Sequence, residues 1–300
     1  MQDFIQHIIN GISLGSIYAL IALGYTMVYG ILKMINFAHS DVYMVGAFTA
    51  YYVARWLGIE NNPGLATLAT LLLASMIACS ALGMVIERLA YRPLRNAPKL
   101  NILITAIGVS LFLEYSGQVV FGADPKVFPE VMQDTVLGHI GLVELRSSDI
   151  TVLAVSILAM LGLQFLIFKT KVGSAMRAVS SNAAVASILG VNTDRIITFT
   201  FVVGSALAGV GSVLVGMKYP KIDPLMGMMI GLKAFVAAVL GGIGNVGGAV
   251  LGALIMGLSE EMVVAYISST YRDALAFGIL IVILIFRPAG LLGKYSVEKV

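Results

Sequence analysis

Charge is scarce in this 300-residue chain: Asp, Glu, Lys and Arg together make up 12% of it, against 59% for apolar residue types. Soluble domains carry about a quarter charged residues, so an ordinary water-facing globular surface is excluded. A mean hydropathy of +0.95 instead reads as an integral membrane protein. Cysteine occurs once, at Cys79 within an apolar segment, which excludes an intrachain disulfide. The three histidines, His7, His39 and His139, have no paired spacing, which argues against a histidine-built metal site. No phosphate-cradling G-x-x-x-x-G-K-[ST] motif occurs. The nearest approach, GSVLVGMK at 211–218, lacks the adjacent lysine and hydroxyl that would hold phosphates and magnesium, so ATP is not expected to bind here through a P-loop. No G-x-S-x-G nucleophile elbow appears either. Neither an enzymatic centre nor a cofactor is expected on this chain.

Long apolar runs are abundant. They fall at about 8–29, 42–57, 64–86, 101–120, 150–168, 196–217, 227–258 and 274–286, which predicts an all-α membrane protein of about eight transmembrane helices in one 1–300 domain. The seventh run is long enough to be two pieces or a re-entrant turn, and 30–41 is polar enough to be a broken helix within the membrane. The first run spans roughly 33 Å as a helix, too long for a signal-peptide core, and its leader MQDFIQH has Asp3 but no Lys or Arg. It is read as an uncleaved span.

Charge distribution orients the chain. Residues 87–99 hold Arg88, Arg92, Arg95 and Lys99 against Glu87; residues 169–195 hold Lys169, Lys171, Arg177 and Arg195 against Asp194; the tail adds Arg287, Lys294 and Lys299. Residues 122–149 carry five acids against Lys126 and Arg146, and 259–273 are also net acidic. Cytoplasmic loops accumulate Lys and Arg, so the basic segments and the C-terminus are expected inside, the acidic segments and the N-terminus outside. The same bias accounts for ERLAYRPLRNAPK without nucleic acid.

Polar residues within the apolar background are candidates for a substrate path. Asn36 and His39 cluster with Asp41 in MINFAHSD, either as a polar patch or as a structural or gating turn, and Glu114 lies inside an apolar helix with Gln118 four residues on. A lipid-facing carboxylate is costly, so Glu114 should face the bundle. Lys233 either snorkels to an interface or pairs with an acid such as Glu114. Thirteen of the 32 glycines lie between 204 and 257, and Gly244, Gly248 and Gly252 recur every fourth residue, a spacing that lets helix backbones approach closely. GSIYALIALGYTMVYG with MVGAF is echoed by GSALAGVGSVLVG with IGLKAF, which suggests an inverted repeat.

Residues 169–195, KTKVGSAMRAVSSNAAVASILGVNTDR, are small and net basic. Val172, Met176, Val179, Ala183 and Ala186 recur at helical spacing while Ser174, Arg177, Ser181 and Asn182 point elsewhere, the pattern of an amphipathic helical hairpin. Such a knob either lies in the headgroup layer or docks a soluble partner.

The segment 173–191 is similar to the cytoplasmic coupling loop of bacterial ABC importer permeases, with Gly173, Arg177, Ala178, Asn182, Ala184 and Gly190 at matching positions. The opening NGISLGSIYALIALGYTMVYGILKMINFAHSD, the ERLAYRPLR loop, KAFVAAVLGGIGNVGGAVLGALIMG and the closing FRPAGLLG extend that likeness over nearly the whole chain. Together they resemble the H-type permeases of the branched-chain amino acid ABC importer family, serving high-affinity leucine, isoleucine and valine uptake; urea and short-chain amide importers have similar permeases. The resemblance implies a multi-pass protein of the bacterial inner membrane, in contact with membrane lipid. It works with a second homologous permease, a periplasmic substrate-binding protein and two ATP-binding subunits that hold ATP and magnesium. Arg177 would then meet a carboxylate on an ATPase, and Asn182 would serve as a helix cap or interface bond. An ion-coupled carrier with Asp41, Glu114 or Lys233 in a relay, and a passive channel, are the competing classes.

Overall fold

The computed structural model describes residues 2–95, 97–140 and 143–293; Lys294 and Lys299 of the basic tail lie outside the described residues. Among these, helices dominate: α1 Gln2–Leu32, α2 His39–Trp56, α3 Leu65–Ile86 continued by a π turn Glu87–Tyr91, α4 Lys99–Phe121, α5 Ser147–Lys169, α6 Lys171–Ser181, α7 Ala183–Ile188, α8 Thr193–Lys218, α9 Met226–Gly241, α10 Val246–Tyr266 and α11 Arg272–Phe286. Two small antiparallel ribbons, β1 Lys126–Val127 with β4 Lys221–Ile222 and β2 Val136–Ile140 with β3 Val143–Arg146, sit at one end of the bundle.

Seven helical segments are long and apolar enough to cross a membrane, and α9 is a shorter apolar helix. With α2, whose first turn His39, Ser40 and Asp41 is polar, nine elements stand where about eight spans were expected. The extra one comes from the seventh apolar run, which breaks at 242–245. Gly242 and Gly244 take φ of +107° and +94°, left-handed conformations that only glycine adopts cheaply, and Asn245 caps α10 through Oδ1 to the Gly248 N–H at 3.1 Å. An odd count also separates the chain ends. Gln6, near the start of α1, accepts from the Glu144 N–H, whereas Leu291 and Leu292, after α11, donate to the carbonyls of Leu240 and Gly241. The latter contact lies beside Gly244, at the Tyr29–Gly30 end of α1.

α1 and α8 form the interior and cross where Gly24 meets Gly204; a Cβ on Gly204 would lie 3.4 Å from the Gly24 Cα. Outer helices α3, α4, α5 and α11 leave apolar side chains such as Ile77, Phe112, Leu158 and Ile285 exposed, as helices apolar all round do in a membrane. Packing is symmetric under exchange of α1–α3 with α8–α10. α1 packs on α10 as α8 packs on α3, α2 on α3 as α9 on α10, and α1 on α9 as α8 on α2. Because α1 and α8 run in opposite directions, this exchange has the form of an inverted repeat.

Candidate functional site

At the basic end, α6 and α7 form the expected hairpin. Thr170 Oγ1 caps α6 by accepting from the Gly173 N–H at 3.0 Å, and Asn182 Oδ1 caps α7 by accepting from the Val185 N–H at 3.0 Å. Gly173, Met176, Val179 and Ala186 are buried. Gly173 rests on the carbonyls of Leu166 and Ile167, leaving no room for a Cβ. The Ser180 hydroxyl donates to the Gly30 carbonyl at 2.5 Å, fastening α6 to the end of α1. Arg177 folds back instead of projecting. Its guanidinium donates to the Ile167 carbonyl and to Ser174 Oγ and lies over the Phe168 ring, 5.6 Å from its centroid, so it closes the C-terminal end of α5, where cations are favoured. Val172 and Ala183, placed on the buried stripe by their spacing, are exposed: Val172 stands in the first turn of α6, and Ala183 follows Asn182, which ends α6 and restarts the helical phase in α7. Exposed with them are Ala184, Val185, Ile188 and Leu189, the last two 85% and 77% accessible. Ala178 is partly buried, and Gly190, at φ +86°, turns the chain toward α8.

The polar residues near 36–41 are not a solvated loop edge. Asn36 is buried and accepts from the Tyr91 hydroxyl at 2.8 Å. His39 is buried edge-on to Tyr25, ring centroids 4.9 Å apart, in space vacated by Gly24. Neither lines a cavity of about 150 Å³ that opens beside them, whereas Glu114 does, with Ser40, Ser110, Leu111, Leu232 and Phe235. Ser110 donates to Asp41 Oδ2 at 2.5 Å behind this wall. A carboxylate, three hydroxyl-bearing residues counting Tyr25, and an apolar remainder make a chamber that suits an ammonium group joined to an aliphatic chain.

Lys233 does not meet Glu114. It is nearly buried and pairs with Glu260 at 3.0 Å and Asp273 at 2.8 Å. Glu260 also accepts from the Tyr18 hydroxyl at 2.9 Å and pairs with Arg272 at 3.1 Å. The network joins α1, α9, α10 and the start of α11. Sequence reading placed Glu260 in an acidic loop, but α10 runs on to Tyr266 and draws it inside. Lys218 with Asp149 at 2.6 Å likewise ties α8 to α5, and no local signal marked that pair.

The glycine seam is real at two of its three positions. Gly248 and Gly252 lie on α10 against the α9 backbone, and a Cβ on Gly252 would fall 2.6 Å from the Gly241 nitrogen. Gly244 is not on that face: it belongs to the turn, before α10 begins. Among the described residues, no group of three His, Cys, Asp or Glu side chains is arranged to hold a metal.

Known proteins share this sequence along its length. It is 44% identical over 304 residues to the high-affinity branched-chain amino acid transport system permease protein LivH of Escherichia coli strain K12, covering 99% of this chain and 98% of that protein. Against the permease protein BraD of Pseudomonas aeruginosa, described in the same words, identity is 44% over 306 residues, covering 100% and 99%. A solved structure, PsaBC from Streptococcus pneumoniae in complex with Fab, superposes with a TM-score of 0.45 at 11% identity, covering 96% of this chain and 91% of that one. Residues 7–284 match the family described as branched-chain amino acid transport system / permease component. The chain belongs to that family.

Proposed function

We propose that this chain is a permease subunit of a binding-protein-dependent ABC importer that carries leucine, isoleucine and valine across the bacterial inner membrane by alternating access. The single observation that carries the reading is the near-full-length 44% identity to LivH. The N-terminus is periplasmic, and the basic end with the C-terminus is cytoplasmic. A periplasmic binding protein delivers substrate, a second homologous permease completes the membrane part, and two ATPase subunits supply ATP and magnesium.

In this reading residues 169–195 are the coupling loop, and Ala184, Val185, Ile188 and Leu189 seat in a groove of an ATPase. Gly173, Arg177 and Asn182 hold the hairpin's shape, Ala178 packs beneath it and Gly190 releases the chain into α8. Three fastenings support transmission: Ser180 to the α1 carbonyl of Gly30, Arg177 to the α5 carbonyl of Ile167, and buried Met176 between them. A displacement of the hairpin by ATPase closure therefore moves α1 and α5 as attached levers, and α1 is the most enclosed span. The Glu114 cavity supplies the path: the carboxylate takes the substrate ammonium, and Leu111, Leu232 and Phe235 take the branched side chain.

Uptake of radiolabelled leucine by cells carrying the chain together with the proposed partner subunits tests this. Competition by isoleucine and valine, and none by urea or acetamide, is expected; the reverse pattern would assign the chain to amide import.

A further inference from the structure

A second groove, of about 460 Å³, runs between the α3–π-turn segment and α8 at the basic end. Its head is made by the exposed Arg88, Arg92 and Arg195, and its limb toward the bundle centre by Met84, Phe199 and Val202. The π turn builds the head: the Arg92 N–H reaches back to the Glu87 carbonyl at 2.7 Å, widening the helix where two of the arginines leave it. Such π turns recur at functional sites. Asp194 is the acid on the groove, and its carboxylate is already taken by Arg92 and Arg95. Arg95 in turn also pairs with the buried Glu87. Arg88 and Arg195 have no acidic partner among the described residues, so the head keeps a net positive charge. Beside it, α3 exposes Ile77 and Val85 and the π turn exposes Leu89, which places the groove at the boundary of the apolar belt.

A site with guanidinium groups at the membrane edge and an apolar limb running inward matches one ligand chemistry, a phosphodiester carrying acyl chains. We propose that this groove binds an anionic diacyl phospholipid, its headgroup on Arg88 and Arg195 and one acyl chain along Met84, Phe199 and Val202. The site holds the π turn against α8 and makes the stability of that contact depend on the lipid surface. It rests on the membrane placement of the fold and not on the substrate.

The test uses the chain solubilised with its associated subunits and reconstituted in phosphatidylcholine nanodiscs with titrated phosphatidylglycerol, with retained lipid read by native mass spectrometry. Arg88→Gln with Arg195→Gln is expected to lower phosphatidylglycerol retention about tenfold. Val202→Trp, which fills the apolar limb and leaves every charge in place, is expected to do the same, and inorganic phosphate is expected not to compete. Val202→Trp decides the matter should the double variant not fold. Unchanged retention in Val202→Trp would overturn the proposal. So would displacement by inorganic phosphate, which would mark a free-anion site, or loss of associated subunits with retention intact, which would mark a protein contact.

Discussion

Lys233 is a charge held among three others, and its environment decides what removing it does. With Glu260 and Asp273 both within 3.0 Å, Lys233→Met leaves the buried Glu260 with Arg272 as its remaining cation and the half-exposed Asp273 with water, so it is expected to cost about 1–3 kcal/mol, short of a fully uncompensated buried charge. Lys233→Arg keeps the charge and is expected to retain most of that stability; thermal unfolding in detergent separates the two. Steric demand is as local. Gly252→Leu drives a branched side chain into the Gly241 backbone and should destabilise by about 1–3 kcal/mol or more. Gly278→Leu, where added atoms meet open space, should leave the unfolding midpoint close to that of the parent. Equal midpoints for the two glycine variants would place the α10 face away from α9.

Among the elements, the α6–α7 hairpin separates residues that shape it from residues that face outward. Ile188→Asp with Leu189→Asp changes the exposed tip alone, so unfolding should be unaffected while co-purification of ATPase subunits falls about tenfold or more, as truncating central apolar anchors does at interfaces. Met176→Asp, on the buried face of α6, should lower stability itself. Undiminished ATPase recovery in the tip variant would remove the hairpin from that interface.

Helical periodicity made the hairpin legible, because Met176, Val179 and Ala186 fall on one stripe. The direction of Arg177 was not legible: a flexible cation in a polar segment carries no signal that its target is a carbonyl ten residues back. Apolar runs likewise announced the spans and left open a break in the seventh, which depends on the left-handed backbone at Gly242 and Gly244. Burial of His39 was hidden because it needs Gly24 on another helix to make room. The partners of Lys233 were hidden because Glu260 and Asp273 come from sequence that reads as loop. In each case the missing information was contact across the chain, which periodicity does not encode.

For the molecule as a whole, orientation ties the separate sites together, with the hairpin and the arginine groove at one end and the net-acidic segment 122–149 at the other. A cysteine at Ser181 in a Cys79→Ala background should resist an impermeant thiol reagent in intact cells and react in inverted membranes stripped of partner subunits. Ser147, the natural choice on the acidic side, is buried, with its hydroxyl bonded to the Gln133 carbonyl at 2.7 Å; the exposed Leu137 is the better reporter and should label from outside. Outside labelling at Ser181 would invert the assignment of every loop.

Energy coupling is where the proposed importer differs most sharply from a carrier or a channel built on similar helices. The decisive measurement is leucine uptake by proteoliposomes holding this chain with its partner permease and ATPases, with ATP supplied on the hairpin side and the binding protein on the opposite side. The expected result is accumulation that requires both ATP and the binding protein, collapses in the Ile188→Asp, Leu189→Asp variant, and is indifferent to an imposed proton or sodium gradient. Accumulation driven by an ion gradient without ATP, or equilibration with neither, would contradict it.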